Sequence, residues 1–406
     1  MKKLLFVIVV VLAILIQFQT SNAKENSGRV KEVKEWTFLT FMNGHDGMLT
    51  HYVEHNLELM KKVGSTDEIN VVVQAASLDR EETERLYIEK GATVVLEKMP
   101  RIDMGDYNEL KKFIAWTVEN YPAKKYFINV WNHGLGWHDM GTRSMMPAMD
   151  IMDVSLDSLT GNLITTEQMG DVMKYFADLT GNKVELYGND ACLMAMAEIA
   201  AEFSDTVSYF ASSQENEPAA GWPYDKLLER WAAKPQINGR ELGIILAEEY
   251  LIYYPDKASN PMGTTFSVID VSKLDDLMSA IAVFVEELVS LDPATTEKIV
   301  YAAQATHRFD GANDYRDLLD FIKNIEGRKD IVINKSTLEF VRATYNSVMI
   351  KNVANELEEG AHGLSVWLPT YHYYYTSHAE RYANLEFNKK TKWGDLISKF
   401  FSTEIR

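Results

Sequence analysis

The sequence is poor in cysteine and in basic side chains, and it has no internal repeat. One cysteine, Cys192, occurs among 406 residues. A single thiol excludes a disulfide within the chain and a zinc site built from cysteines. The 41 basic residues face 59 acidic ones, and the net charge of −18 disfavours nucleic acid and anionic membranes as partners. The same charge either favours cationic ligands or only keeps the protein soluble.

The first residues have the three parts of a secretory signal. Residues 1–3 carry two lysines, residues 4–16 are apolar, and residues 21–23 are small and polar up to Ala23. The apolar run is short for a membrane span, and no cysteine follows it that would carry a lipid. We therefore expect residues 1–23 to be removed and the protein to be secreted or periplasmic, without membrane attachment. An uncleaved membrane anchor is the alternative.

Apolar strands alternate with amphipathic helices over residues 36–250. This order predicts an α/β fold, with a mostly parallel sheet covered by helices on both faces. Residues 24–35 are charged and polar, and we expect a flexible leader there. Residues 251–406 are mostly helical, with two strands, 264–269 and 363–368, that are expected to extend the sheet.

Two residues with catalytic chemistry, Cys192 and His133, each follow a predicted strand at the sheet edge where ligands bind. A helix expected over residues 193–203 would bring its positive end to Cys192 and lower the pKa of the thiol. A buried, inert thiol is the alternative. Gly134 leaves space for a substrate carbonyl, so its N–H is a candidate oxyanion donor. Asp190 either pairs with a substrate Lys or Arg or caps the predicted helix, and the local sequence favours neither.

Other histidines offer competing sites. His45 follows the first strand at the same edge and ranks second as the base, whereas His362 precedes its strand and is expected at the opposite edge. His51, Glu54 and His55 match the H-x-x-E-H pattern of some zinc peptidases, with both histidines on one helix face. A zinc peptidase is therefore an alternative function.

Several blocks of the sequence resemble the clostripain family of cysteine endopeptidases, in the clan that includes caspases, legumains and gingipains. The histidine block is similar at Tyr121–Tyr126 and Trp131–Trp137, and the cysteine block at Asp190–Met194. Further matching segments follow along the chain: Ser212–Glu215, Gly221–Tyr224, Asp314–Phe321 and Gly363–Pro369. The resemblance spans nearly all of the chain after the signal.

The resemblance implies a caspase-like three-layer α/β sandwich with an added, largely helical C-terminal domain. It also implies a Cys192–His133 dyad that cleaves polypeptides after Arg or Lys, with the N–H groups of Gly134 and Cys192 holding the oxyanion. Asp190 would select the basic P1 side chain, and Ser212 and Ser213 would line the pocket or pair with the substrate backbone. An inactive family member that binds peptides or glycans is a second alternative.

The long stretch between the two blocks, residues 134–165, has little pattern, which predicts a functional or processed loop. Family members are often zymogens that cut themselves there, and Arg143 is the one basic residue between Gly134 and Met173. We therefore predict self-cleavage after Arg143. No cofactor is expected to be required, although calcium, a family trait, remains possible. The loop offers four carboxylates without EF-hand spacing, Asp139, Asp150, Asp153 and Asp157. A monomer is expected.

Overall fold

The computed structural model describes residues 32–138, 153–309 and 314–402. The predicted signal peptide, Arg143, Asp139 and Asp150 lie outside these residues.

One large sheet runs through the molecule, and its central strands are parallel. Nine described strands form it: β1 (Lys34–Gly44), β2 (Ile69–Ser77), β3 (Glu82–Glu89), β4 (Ala92–Pro100), β5 (Ala123–Trp131), β6 (Val184–Asp190), β7 (Val207–Ser212), β8 (Thr265–Asp270) and β10 (Met349–Ala354). Their order across the sheet is β10-β8-β7-β6-β5-β1-β2-β3-β4. The strands from β7 to β2 are parallel, and antiparallel strands flank them on both sides. The carboxyl ends of β1, β5 and β6 therefore meet at one edge.

Helices cover both faces of this sheet. In chain order the described helices are α1 (Thr50–Lys61), α2 (Tyr107–Asn120), α3 (Thr166–Thr180), α4 (Ala197–Ala201), α5 (Tyr224–Ala232), α6 (Gly239–Tyr253), α7 (Leu274–Ser290), α8 (Pro293–Ala305), α9 (Leu318–Glu326), α10 (Lys335–Val348), α11 (His372–Tyr382), α12 (Glu386–Thr391) and α13 (Trp393–Ser402). Successive residues of a strand point to opposite faces, so β1 buries Phe38 and Met42 against α1, α5 and α6. Leu39 and Phe41 of β1 lie in the other core, with α2, α3 and α4. The three-layer α/β expectation is confirmed.

The C-terminal helices extend one of these two cores. Apolar residues of α7 to α13 belong to the same buried cluster as Leu39 and Phe41. In the described residues, a small two-stranded sheet lies outside the main one, formed by β9 (Tyr315–Asp317) and β11 (Ser365–Trp367). Among the helices of the described residues, none is both long enough and apolar enough to cross a membrane.

Two sequence expectations were wrong. The helix predicted over residues 193–203 is only Ala197–Ala201, because backbone N–H groups before it bond elsewhere. Leu193 N–H donates to the Glu215 carbonyl at 3.3 Å, and Ala195 N–H donates to the Ser213 carbonyl at 2.8 Å. Of the two C-terminal strands, β8 extends the main sheet, but β11 pairs with β9 instead.

Candidate active site

The ends of β5 and β6 bring the histidine and cysteine blocks together. Trp131 is paired with Asp190 in the sheet, and Asn132 N–H donates to the Asp190 carbonyl at 3.2 Å. Beyond the strands, the Gly134 backbone packs directly against the Cys192 backbone. A β-carbon at Gly134 would lie only 2.5 Å from the Cys192 carbonyl oxygen, so this approach requires glycine.

Cys192 lies in a tight turn rather than at a helix end. The next residue, Leu193, has a φ of 63°, in the left-handed region that non-glycine residues seldom adopt. A segment running beside this turn, residues 213–217, is here called the strap. Glu217 N–H of the strap donates to the Cys192 sulfur at 3.2 Å. The expected helix dipole is thus absent at Cys192, and the sulfur instead contacts the backbone of Glu217, whose carbonyl oxygen lies 3.7 Å away.

His133 has a carboxylate partner that the sequence analysis missed. Asp46 follows β1, and its Oδ1 lies 3.1 Å from His133 Nε2. The same oxygen accepts the N–H groups of Met48 and Leu49 at 2.8 and 3.0 Å. The contact with His133 and these two donors hold the pKa of Asp46 well below its usual range, despite burial. An anionic Asp46 at this distance favours a proton on the facing nitrogen, Nε2.

The two rival histidines have other partners. His45 is buried, and its Nδ1 lies 2.7 Å from Asp157 Oδ2, which ties the C-terminal part of the predicted processing loop to the end of β1. The His362 ring contacts Lys323 Nζ. His362 was expected at the amino edge of the sheet. That expectation was wrong, because β11 is not part of the main sheet. The backbone N–H of the next residue, Gly363, donates to Gln214 Oε1 at 2.6 Å, beyond the carboxyl end of β7.

Asp190 does not cap a helix. Its Oδ2 accepts the Trp222 N–H at 3.1 Å and the Tyr224 hydroxyl at 2.6 Å. Burial raises the pKa of Asp190 to about 6. Gly221 borders the same space, where a β-carbon would lie 2.9 Å from Asp190 Oδ2.

A second carboxyl group, Glu217, shares this buried space and was also missed. Its Oε2 accepts the Trp222 indole N–H at 2.9 Å. Its Oε1 is buried and accepts no hydrogen bond from a described donor. Burial, followed by the charge of Asp190, raises the pKa of Glu217 well above its usual range. Two carboxyl groups without a compensating cation form a site that favours a positively charged ligand.

The hydroxyls of Ser212 and Ser213 are engaged within the protein. Ser212 Oγ lies 3.5 Å from the Asn189 carbonyl, and Ser213 Oγ donates to the Glu215 carbonyl at 2.8 Å. Ser213 Oγ also lies 2.8 Å from Thr265 Oγ1. These contacts hold the strap against β8.

The residues of the zinc pattern lie on an exposed helix face. His51 is 3.7 Å from Asp79, and Glu54 pairs with Arg80. His55 is exposed, and no group of three His, Cys, Asp or Glu in the described chain is placed to hold a metal ion. This finding disfavours the zinc peptidase.

Two of the four loop carboxylates proposed for calcium lie in the described part. Asp153 contacts Arg381 at 3.0 Å and the Thr166 hydroxyl at 2.6 Å, while Asp157 holds His45. Both are therefore already engaged with protein groups.

A curated relative, clostripain of Hathewaya histolytica, is 25% identical over 319 residues, which are 68% of this chain and 60% of that protein. The chain thus spans about three fifths of that relative's length.

Two solved structures share the fold. A secreted C11 cysteine protease from Bacteroides thetaiotaomicron, in complex with an irreversible peptide inhibitor, has a TM-score of 0.67 at 17% identity. An inactive zymogen C11 protease from Parabacteroides distasonis has a TM-score of 0.66, also at 17% identity. Each match covers 89% of this chain and 99% of the other. A family model described as the clostripain family matches residues 40–400, which is most of the sequence. The chain therefore belongs to the clostripain family of cysteine peptidases.

Proposed function

We propose that this protein is an active cysteine endopeptidase that cleaves polypeptides after Arg or Lys. The observation that carries the proposal is the packing of the Gly134 backbone against Cys192, beside the buried pair Asp190 and Glu217. A nucleophile, a histidine and a pair of buried acids then share one edge of the sheet.

In the proposed reaction the Cys192 thiolate attacks the scissile carbonyl. The N–H groups of Gly134 and Cys192 stabilise the oxyanion of the tetrahedral intermediate. Among the described residues the Gly134 N–H has no acceptor, so it is available. His133, which holds the proton taken from the thiol, donates it to the leaving amine as the C–N bond breaks. A water molecule then loses a proton to His133 and attacks the thioester, and the C–S bond breaks.

Asp46 has a positioning role in this mechanism. Its carboxylate lies 3.1 Å from His133 Nε2, where it orients the ring and stabilises the imidazolium that forms during the reaction. The active centre is thus proposed as a triad rather than the dyad that the sequence predicted.

Specificity for a basic P1 residue is proposed to come from two acids. Asp190 and Glu217 are both buried, and each lacks a cationic partner among the described residues. An Arg or Lys side chain would supply the missing positive charge and allow both groups to ionise. A neutral or acidic side chain would leave the pair uncompensated.

Fluorogenic peptides that differ only at P1 test the proposal. The wild type should hydrolyse the Arg and Lys peptides and leave the citrulline and Glu peptides nearly intact, since citrulline has the shape of Arg without its charge. Cys192→Ala should abolish hydrolysis. Iodoacetamide should inhibit the wild type, whereas a chelator specific for zinc should not. Hydrolysis that survives in Cys192→Ala and is lost with the chelator would support the zinc alternative. A folded wild type that binds these peptides without cleaving them would be the inactive family member.

Self-processing after Arg143 and export remain proposals of the same kind. N-terminal sequencing of the purified enzyme should give Lys24 for the mature chain and Ser144-Met145-Met146 for a second fragment. The second fragment should be absent from Arg143→Ala, which lacks the cleavage site, and from Cys192→Ala, which lacks the nucleophile. An intact chain with full activity would exclude processing. Light scattering tests the expected monomer.

A further inference from the structure

The segment that carries the oxyanion donor is held by the C-terminal part of the chain. Residues 134–138 follow β5, and Tyr315 of β9 reaches into them. The Tyr315 hydroxyl lies 2.8 Å from the Leu135 carbonyl and 3.0 Å from the His138 carbonyl, and it accepts the His138 N–H at 3.2 Å. One hydroxyl therefore joins both ends of a four-residue turn.

The Tyr315 ring also fixes the shape of this turn. Gly136 has a φ of 74°, and a β-carbon there would lie 2.5 to 2.6 Å from the Tyr315 ring and hydroxyl. The absence of a side chain at Gly136 thus allows the Tyr315 ring to pack against the turn. The ring itself is 1% exposed and contacts the His138 ring, with centroids 4.9 Å apart.

Tyr315 is itself held rigidly. It pairs with Trp367 across the small sheet, and its carbonyl accepts the Phe309 N–H at 3.3 Å. A second group from the C-terminal helices reaches the same turn, because Arg381 of α11 donates to the Trp137 carbonyl at 2.5 Å. The turn is therefore fixed from outside the strands that carry the cysteine and histidine.

We propose that Tyr315 is a positioning residue for peptide hydrolysis. Its hydroxyl sets the turn after His133, so that the Gly134 N–H points to the oxyanion beside Cys192. The C-terminal region then completes the active site rather than only covering the sheet. This inference rests on the proposed oxyanion role of Gly134.

Tyr315→Phe tests the inference, because it removes one oxygen atom and keeps the ring that Gly136 accommodates. A misplaced oxyanion donor affects the transition state more than the bound substrate. Loss of a whole oxyanion donor costs about 10²- to 10³-fold in kcat, so a displaced donor should cost on the order of tenfold. KM for the Arg peptide should change by no more than about twofold. Titration of active sites with an irreversible Arg-containing inhibitor corrects kcat for any unfolded fraction.

Tyr345→Phe is the matched control. The Tyr345 hydroxyl is equally buried, donates to the His362 carbonyl at 2.9 Å and accepts the Leu364 N–H at 3.2 Å, away from the turn. Both variants should lose similar thermal stability, but only Tyr315→Phe should lose kcat. A peptide aldehyde, whose adduct with the cysteine carries an oxyanion, should bind Tyr315→Phe more weakly by the factor lost in kcat.

Alkylation by iodoacetamide forms no oxyanion, so Cys192 should react at the same rate in both variants and in the wild type. Equal kcat values in the two tyrosine variants would overturn the positioning role. So would weaker substrate binding in Tyr315→Phe, seen as a higher KM, with kcat unchanged. An inactive wild type would instead overturn the proposed function, so the two failures are distinguishable.

Discussion

The carboxyl pair Asp190 and Glu217 predicts both the charge preference and its pH dependence. Glu217→Gln removes one charge from the pocket and keeps an acceptor for the Trp222 indole, which lies 2.9 Å away. A hydrogen bond to a charged group contributes about 1.5–3 kcal/mol, which corresponds to a loss of about 10- to 150-fold in kcat/KM. The carboxyl group of Glu217 is buried, although the residue as a whole is partly exposed, so we expect the lower end of that range.

The expected loss is specific to a cationic P1 residue. The kcat/KM for an Arg peptide should fall about tenfold in Glu217→Gln, and that for a citrulline peptide should stay within about twofold. Glu202→Gln is the matched control, because burial also raises the pKa of Glu202, to about 7, in a surface groove that no active-site residue lines. Equal losses for the Arg and citrulline peptides would refute the reasoning, as would a similar loss in Glu202→Gln.

The same pair should make the kcat/KM of the wild type for an Arg peptide fall at acid pH. A carboxyl group with a pKa of about 6 is about one-tenth ionised at pH 5 and about nine-tenths at pH 7. Cation binding needs the ionised form, so kcat/KM for the Arg peptide should rise about tenfold over this interval relative to citrulline. A ratio that does not vary with pH would show that Asp190 does not face the P1 charge.

Three other predictions follow from the same geometry. Asp46→Asn should lower kcat about 10- to 100-fold with little change in KM, measured with the Arg peptide, because the imidazole tautomer is no longer fixed; an unchanged kcat would remove Asp46 from the mechanism. Burial raises the pKa of Asp153 to about 6 and of Glu198 to about 7, so protonation favours the folded state. Their stabilisation is complete below pH 4 and is lost as the pH rises through 6 to 7, so the Tm of Cys192→Ala, measured by calorimetry, should increase from pH 8 to pH 5. A Tm that decreases over this interval would contradict the buried positions of these acids. Gly134→Ala should abolish activity, since a β-carbon would lie 2.5 Å from the Cys192 carbonyl; full activity would contradict the close approach.

The parallel core of the fold could be predicted because its strands carry a strong local signal. Most residues of β1, β2 and β5 are buried on both faces, and such strands are mostly apolar along their length. Sheet polarity then placed His133 and Cys192 at one edge, as the structure has them. The sequence indicated that Gly134 leaves space for a substrate carbonyl, whereas the structure shows that it leaves space for the Cys192 backbone.

The predictions that were wrong, and the site residues that were missed, depend on contacts between residues distant in the sequence. Residues 193–203 have helical composition, but Leu193 and Ala195 donate hydrogen bonds to carbonyls of the strap, which hold the chain there in another conformation. Asp46 could have been found as the acid at the carboxyl end of β1, on the same edge as His133. Glu217 has no such signal, because its place beside Asp190 depends on how the strap folds back.

The most direct test of the central claim is covalent labelling of the wild type with a chloromethyl ketone peptide that has Arg at P1. The account predicts one adduct per chain, mapped to Cys192 by mass spectrometry, and no adduct on the same timescale with a Glu probe. The adduct should be absent from Cys192→Ala and slower to form in Glu217→Gln. Labelling at any other residue, or equal labelling by the Glu probe, would contradict the claim that Cys192 is the nucleophile beside an anionic P1 pocket.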